Sequence, residues 1–402
     1  MRDCAKRWFG WLGSIDISES LNAFAENKLA ALKQRNLLRT LAETERLGPV
    51  EVRRGDKRLI SFSCNDYLNL SQHPKIKAAA IEATQKHGAG SGASRLVTGN
   101  HPLYAVLEEK LAALKGAEAA CVFGSGYLAN TGIIPALIGA DDMVCIDELS
   151  HACIYAGGRL TASAVHVFRH NDAGHLAEIF KAHRTDHPRA LIVTDGVFSM
   201  DGDLAPLAAL TDVAAEFDAW LMTDDAHGIG VVGGGRGSGF TNGGEYSVPL
   251  QMGTLSKAIG AYGGYLCASK PVIDLIRTRC RTLIYSTALP PGTVAAAIAA
   301  LDLIQDDPDY AALPLKKAQD FTAMLGLADA ESPIVPIVLG DAQRTLDASK
   351  VLEEEGFLVI AIRPPTVPDG TARLRITFTA AHDDDDIARL AERIKPLMAD
   401  PP

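Results

Sequence analysis

Trp220-Leu221-Met222-Thr223-Asp224-Asp225-Ala226-His227-Gly228-Ile229-Gly230 decides how the rest of this chain is read. Residues of strand character run straight into two acids, an imidazole and glycines, so an apolar strand delivers polar side chains at its carboxyl end. The pattern recurs at Ala119-Ala120-Cys121-Val122-Phe123, Met143-Val144-Cys145-Ile146 and Ala190-Leu191-Ile192-Val193-Thr194, each run ending in a polar or glycine-containing loop, with helical patterns between them. Such alternation over 61–290 predicts an α/β fold, a mostly parallel sheet with helices on both faces. Open sheets of this kind bind ligands beyond the carboxyl ends of their strands, so the chemistry is expected in those loops.

Outward from this block the pattern changes. Residues 18–46 read as an amphipathic helix, with Leu21, Phe24, Ala25, Leu29 and Leu32 at helical spacing, expected to pack on the body or on a partner subunit. After Pro290-Pro291 come a helix near 292–305, a strand near 334–339, a helix near 342–355 stopped by Gly356, a strand at 372–378 and a last helix after Asp383. The expected organisation is an N-terminal helical segment (1–60), a large domain (61–290) and a smaller α+β domain (291–402).

Composition narrows the function. With 47% hydrophobic and 22% charged residues in 402, the chain is of folded globular type, large enough for more than one domain. A net charge of −10 without a concentrated basic stretch argues against nucleic acid as a partner. No run approaches the roughly 18 apolar residues of a membrane span, and the apolar run Trp8–Leu12 is too short for a signal-peptide core. Cys4, Cys64, Cys121, Cys145, Cys153, Cys267 and Cys280 are odd in number, scattered and free of C-x-x-C pairs, which suggests neither disulfides nor zinc; a reducing, cytoplasmic setting is expected.

Three features carry chemistry. Phe123-Gly124-Ser125-Gly126-Tyr127 follows a strand and opens a helix, where backbone N–H groups and the positive helix end suit a phosphate, although an ordinary glycine-rich turn reads the same way. Asp224 and His227 at a strand end are compatible with a helix cap or with metal ligation, but no third ligand is obvious nearby. Lys257 lies in Gly253-Thr254-Leu255-Ser256-Lys257, before the glycine-rich Ala258–Gly264; most lysines are solvated surface charges, but tightly turning neighbours let backbone and ligand approach closely here. An amine for a Schiff base, a carboxylate for a pyridinium nitrogen and a phosphate cradle at successive strand ends are together what pyridoxal phosphate requires.

Gly90-Ser91-Gly92-Ala93-Ser94-Arg95, Val197-Phe198-Ser199-Met200-Asp201-Gly202-Asp203, Tyr285-Ser286-Thr287-Ala288-Leu289-Pro290-Pro291 and Arg363-Pro364-Pro365-Thr366-Val367-Pro368 complete a long ordered set. From about residue 20 to the end the chain closely resembles the α-oxoamine synthases, of the aspartate-aminotransferase-like fold of pyridoxal-phosphate-dependent transferases. The Arg363–Pro368 segment, continuing through Arg375, favours the branch that condenses L-alanine with a pimeloyl thioester, carried by coenzyme A or acyl carrier protein, on the way to biotin; other branches take glycine or serine.

The resemblance implies that Lys257 is the cofactor's tether and the base, that Asp224 pairs with the pyridinium nitrogen, and that His151 stacks on the ring. Ser199 and His227 would contact the ring hydroxyl region, while Gly126, Tyr127 and Thr254 would seat the cofactor. Ser286 and Thr287 would reach the neighbouring subunit's cofactor in a homodimer. Asn65 and Arg375 would hold the amino-acid carboxylate with Thr366 close by, and Arg39 would face the far carboxylate of the acyl chain. Two departures stand out: Asn69 where the family's N-D-Y-L-G-L has glycine, and Ile229 where threonine is common after the histidine.

Overall fold

The computed structural model describes residues 17–34, 37–241 and 246–399. Residues up to Glu45 form one compact unit and Arg46 onward a second. In the first, the helix is Ile17–Gln34, shorter than the 18–46 expected. The Leu37 N–H donates back to the Leu32 carbonyl at 2.9 Å, a six-to-one bond of the kind that ends a helix, and residues 37–44 have no regular structure. The remainder of the segment read as helical holds strands, Glu51–Arg54 antiparallel to Lys57–Ser61, turning at Gly55 with φ +56°. Their alternation of charged and apolar residues fits a half-buried ribbon, with Val52 and Leu59 buried. The Arg2–Asp16 segment lies outside the described residues.

The second unit is built on seven strands in the order Ala119–Phe123, Gly264–Ala268, Leu250–Thr254, Trp220–Asp224, Ala190–Asp195, Met143–Asp147, Ala164–Phe168. All pairs among the last five are parallel, while Gly264–Ala268 runs antiparallel to both neighbours. The mostly parallel sheet expected from sequence is therefore present. Ala190–Asp195 and Met143–Asp147 are buried along their whole length, the mark of strands covered on both faces. One face packs on Ile133, Ile134, Ile154 and Ile273; the other contributes Phe168, Phe180, Leu210 and their neighbours to a separate cluster. Parallel register brings Asp195 opposite Asp224, and Asp224 opposite Met252, so the loops after these strands open at one edge.

A three-stranded antiparallel sheet, Ile334–Gly340, Ala372–Thr377 and Ile360–Ile362, forms near the C-terminus with helices Ala342–Glu354 and Asp384–Met398. The Asp383 side chain caps the last helix by accepting from Asp385 N–H at 2.9 Å. Helix Pro308–Leu325, not foreseen, begins with a proline at its first position and an Asp307 cap, a start signal hidden among the neighbouring prolines. Phe62, at the end of the Lys57–Ser61 ribbon, packs with Phe321, Phe357 and Phe378, so the early strands share a core with this sheet.

Candidate active site

Lys257 stands in the connection 255–263 between antiparallel strands. That connection is closed on itself by Leu255 N–H to the Gly263 carbonyl (2.9 Å), Ala261 N–H to Leu255 (2.9 Å) and Gly260 N–H to Lys257 (2.8 Å). Gly260 has φ +68°, and a Cβ there would fall 2.4 Å from the Ser71 nitrogen, so glycine is required on both counts. The amine of Lys257 comes to 2.7 Å from His227 Nε2. Burial lowers its pKa to about 8, against the opposing pull of Asp224 and Asp195.

His227 is buried and bridged on its other side, Nδ1 lying 2.7 Å from the Tyr67 hydroxyl. Burial first, then the positive charges of Lys257 and Arg375, hold its pKa well below the usual value, so the imidazole is neutral near pH 7. Asp224, the last residue of its strand, accepts from Asn130 Nδ2 at 2.6 Å and from the Ala226 N–H at 3.0 Å. Asp225 beside it does something else: it pairs with Lys115 at 2.7 Å, both side chains 1% exposed, and accepts from the Ser238 N–H. A Cβ on Gly228 would sit 1.9 Å from that carboxylate, which is why a glycine follows the histidine.

His151 caps the helix Ala152–Arg159, its Nδ1 accepting from the Cys153 N–H at 3.2 Å. An accepting Nδ1 places the ring proton of the neutral form on Nε2, and burial lowers the pKa in the same sense. The His151 N–H donates to Asp195 at 2.8 Å. Burial and the neighbouring Asp224 raise the Asp195 carboxyl well above the usual range. The Cys153 thiol, 2.8 Å from His151 Nδ1, is pushed up to about 12 by burial and stays protonated.

On the far side Arg375, 6% exposed on the strand Ala372–Thr377, donates through Nη1 to Asn65 Oδ1 at 3.1 Å, through Nη2 to the Tyr67 hydroxyl at 3.5 Å and through Nε to the Ser199 carbonyl. Two residues along the strand, on the same face, Arg373 pairs with Asp201 and secures the same loop. His170 pins the loop's end: burial alone would lower its pKa, but carboxylates of Asp147 at 3.1 Å and Asp203 at 2.8 Å raise it to about 10.

Gly126 and Tyr127 open the helix Gly126–Leu137, which Ser125 caps by accepting from Leu128 N–H at 3.1 Å. The first N–H groups of a helix have no partner within it. Strand 264–268 presses so closely on this turn that a Cβ on Gly264 would lie 2.7 Å from Gly126 N. Thr254 donates to the Gly263 carbonyl at 2.7 Å and lies 2.8 Å from the Ser256 hydroxyl.

Four further expected site residues lie on other segments of the chain. Thr287 bridges to Ser94 on a strap with Ser286, Thr366 is exposed in a turn closed by its own N–H to Arg363, and Arg39 lies in the N-terminal unit. Tyr67 and Asn130 are the residues that the sequence reading missed. Asn130 follows Gly126 by four positions on one helix, a spacing that faces both the same way, and Tyr67 is two residues beyond Asn65 in the quoted N-D-Y-L run. Among the described residues no group of three or more His, Cys, Asp or Glu side chains is placed to hold a metal. Asn69 has φ +53°, the left-handed region where asparagine is the best substitute for glycine, and its amide donates to the Pro49 carbonyl and accepts from the Ala381 N–H.

Residues 57–394 match the family model described as aminotransferase class I and II. An 8-amino-7-oxononanoate synthase from Granulibacter bethesdensis is 60% identical over 382 residues, covering 95% of this chain and 99% of that protein. Among solved structures, a serine palmitoyltransferase from S. paucimobilis with bound pyridoxal phosphate–myriocin aldimine superposes with a TM-score of 0.85 at 29% identity, over 94% of this chain and 97% of that one. An 8-amino-7-oxononanoate synthase from Francisella tularensis does so with a TM-score of 0.72 at 26% identity, over 84% and 97%. The chain belongs to the class I and II aminotransferase family of pyridoxal-phosphate enzymes and, within it, to the 8-amino-7-oxononanoate synthases.

Proposed function

We propose that this chain condenses L-alanine with a pimeloyl thioester, releasing carbon dioxide and the thiol carrier and forming 8-amino-7-oxononanoate. The observation that carries the reading is the placement of one half-buried amine, that of Lys257, against His227 and within electrostatic reach of the buried Asp224 carboxylate and of the buried Arg375 that donates to the Asn65 amide.

The donor set fits pyridoxal phosphate. Lys257 would offer an amine to the aldehyde carbon, Asp224 a carboxylate to the ring nitrogen, and His151, fixed by the Cys153 N–H, a neutral imidazole to the ring. Gly126 and Tyr127 offer N–H groups at a helix N-terminus to the phosphate, with Thr254 beside them and the close approach secured by Gly264. When bound, the cofactor supplies an electron sink conjugated to the amino acid's α-carbon.

The chain's own residues do the rest. Arg375 and Asn65 fix the amino-acid carboxylate, which orients the α-hydrogen toward Lys257. Lys257, with a pKa near 8, takes that proton and returns one to the product; an ordinary lysine would remain charged near neutral pH. Asp224, fixed by Asn130 and Ala226, keeps a proton on the ring nitrogen. Ser199 and His227 address the ring hydroxyl, Thr366 lies toward the substrate, and Arg39 meets the distal carboxylate of the acyl chain. Ser286 and Thr287 serve the site of a second copy in a homodimer, and the enzyme works in the cytoplasm.

Amine selectivity tests this reading. With pimeloyl-CoA and the cofactor-loaded enzyme, alanine should release free thiol at least about tenfold faster than glycine or serine, since one extra or missing small group is worth roughly 10–200-fold in a fitted pocket. Equal release with glycine or with serine would assign the chain to a different branch.

A further inference from the structure

The hydroxyl of Tyr67 touches both halves of the site. It lies 2.7 Å from His227 Nδ1, 3.4 Å from Asn65 Oδ1 and 3.5 Å from Arg375 Nη2, and the residue is wholly buried. Arginine can only donate, so the single phenolic proton has two possible acceptors, His227 Nδ1 and Asn65 Oδ1. Each choice fixes the next bond. If Tyr67 donates to Nδ1, the proton of the neutral imidazole is on Nε2 and points at Lys257 Nζ, 2.7 Å away, which must then be an uncharged amine with a lone pair. If Tyr67 donates to Asn65, His227 carries its proton on Nδ1 and offers a bare Nε2 to the ammonium form of Lys257.

Asn65 Oδ1 already receives Arg375 Nη1 at 3.1 Å. A carboxylate arriving at Arg375 draws that donor away and leaves the oxygen free. We propose that Tyr67 is a positioning residue joining the carboxylate anchor to the base: its hydroxyl swings from His227 Nδ1 to Asn65 Oδ1 when Arg375 engages a carboxylate, so that an occupied anchor favours the proton-bearing form of the Lys257 amine. The proposal rests on Arg375 being the amino-acid anchor. Between the two states the phenol and the imidazole each keep one proton, and the amine gains one from solvent.

The other ionisable groups around the amine are Asp224 and Asp195, which favour its charged form, Arg375, which disfavours it, and Cys153 and His151 from the neighbouring helix. All of these are the same in Tyr67→Phe. The device holds Lys257 as a free amine while the anchor is empty, and with an amino acid in place stabilises the ammonium that forms once the amine has taken a proton.

The test is proton uptake on binding propionate, a carboxylate without an amine, to the cofactor-free full-length protein. Calorimetry near pH 8 in buffers of different ionisation enthalpy reads the number of protons taken up. The wild type should take up a measurable fraction of a proton. Tyr67→Phe should bind propionate within about threefold of wild type but take up less than half as much, and Asn65→Leu, lacking the alternative acceptor, should lose uptake likewise. In the loaded enzyme Tyr67→Phe should lower kcat with little change in the KM for alanine. Equal uptake in wild type and Tyr67→Phe would show through-space attraction alone and overturn the coupling, as would no uptake in either. Arg375→Lys separates the two readings. If it leaves the alanine KM unchanged, the anchor assignment fails; if it raises that KM while uptake is equal in wild type and Tyr67→Phe, only the coupling fails.

Discussion

Lys257→Ala should leave a folded protein that releases no measurable thiol from alanine and pimeloyl-CoA, a loss of more than roughly 10⁴-fold. The size follows from how many jobs the side chain has. It is the amine 2.7 Å from His227, the group on which Asp224 and Arg375 exert opposite pulls, and the only lysine in the 255–263 connection. Its burial lowers the pKa to about 8, which makes it a competent base and also means that its charge gives the folded state little. Removing it takes away a group whose desolvation was unfavourable, so the variant's thermal midpoint should be at or above that of the wild type. A melting curve by circular dichroism and a thiol-reagent assay check the two halves, and activity within tenfold of wild type would remove Lys257 from the reaction.

Asp224→Asn should still fold and still acquire the cofactor's visible absorbance, while exchange of the alanine α-hydrogen with deuterated solvent falls by on the order of 10²-fold or more. Asparagine keeps the volume but only one acceptor oxygen, so of the bonds from Asn130 Nδ2 to Oδ2 at 2.6 Å and from the Ala226 N–H to Oδ1 at 3.0 Å one is kept and the other loses its acceptor. The larger loss is the negative charge that holds a proton on the ring nitrogen. The neighbouring carboxyl cannot take over, because burial, the larger cause of its raised pKa, persists in the variant, and Asp195 is committed to the His151 N–H. Exchange at the wild-type rate, followed by proton magnetic resonance of the alanine, would refute the assignment of Asp224.

The residues that were legible in the sequence are those at strand ends. Asp224, His227 and the Lys257 loop could be found because an apolar run buried on both faces must surface in a loop, and loops at the carboxyl edge of a parallel sheet carry the ligands. The parallel core was legible for the same reason. Tyr67 was not, because its partners His227 and Arg375 are far along the chain and a tyrosine beside Leu68 and Leu70 reads as core; only the fold makes it a bridge. Asn130 was hidden similarly, its partner Asp224 lying on a different element. The N-terminal segment was misread past Gln34 because charge and leucine spacing continue beyond the bond that ends the helix. Asn69 is the reverse case: as a departure from glycine it looked arbitrary, and its left-handed backbone supplies the reason. Ile229, where threonine is common, is fully buried in the apolar cluster with Leu68, Val231 and Ile304, so the substitution adds to packing.

The central claim is that one lysine of this chain holds the cofactor. Reducing the loaded enzyme with borohydride, digesting it and weighing the peptides reads that residue out directly. The mass of one phosphopyridoxyl group should appear on the peptide containing Lys257 and be absent from Lys257→Ala; the same mass on another lysine, or on none, would contradict the account.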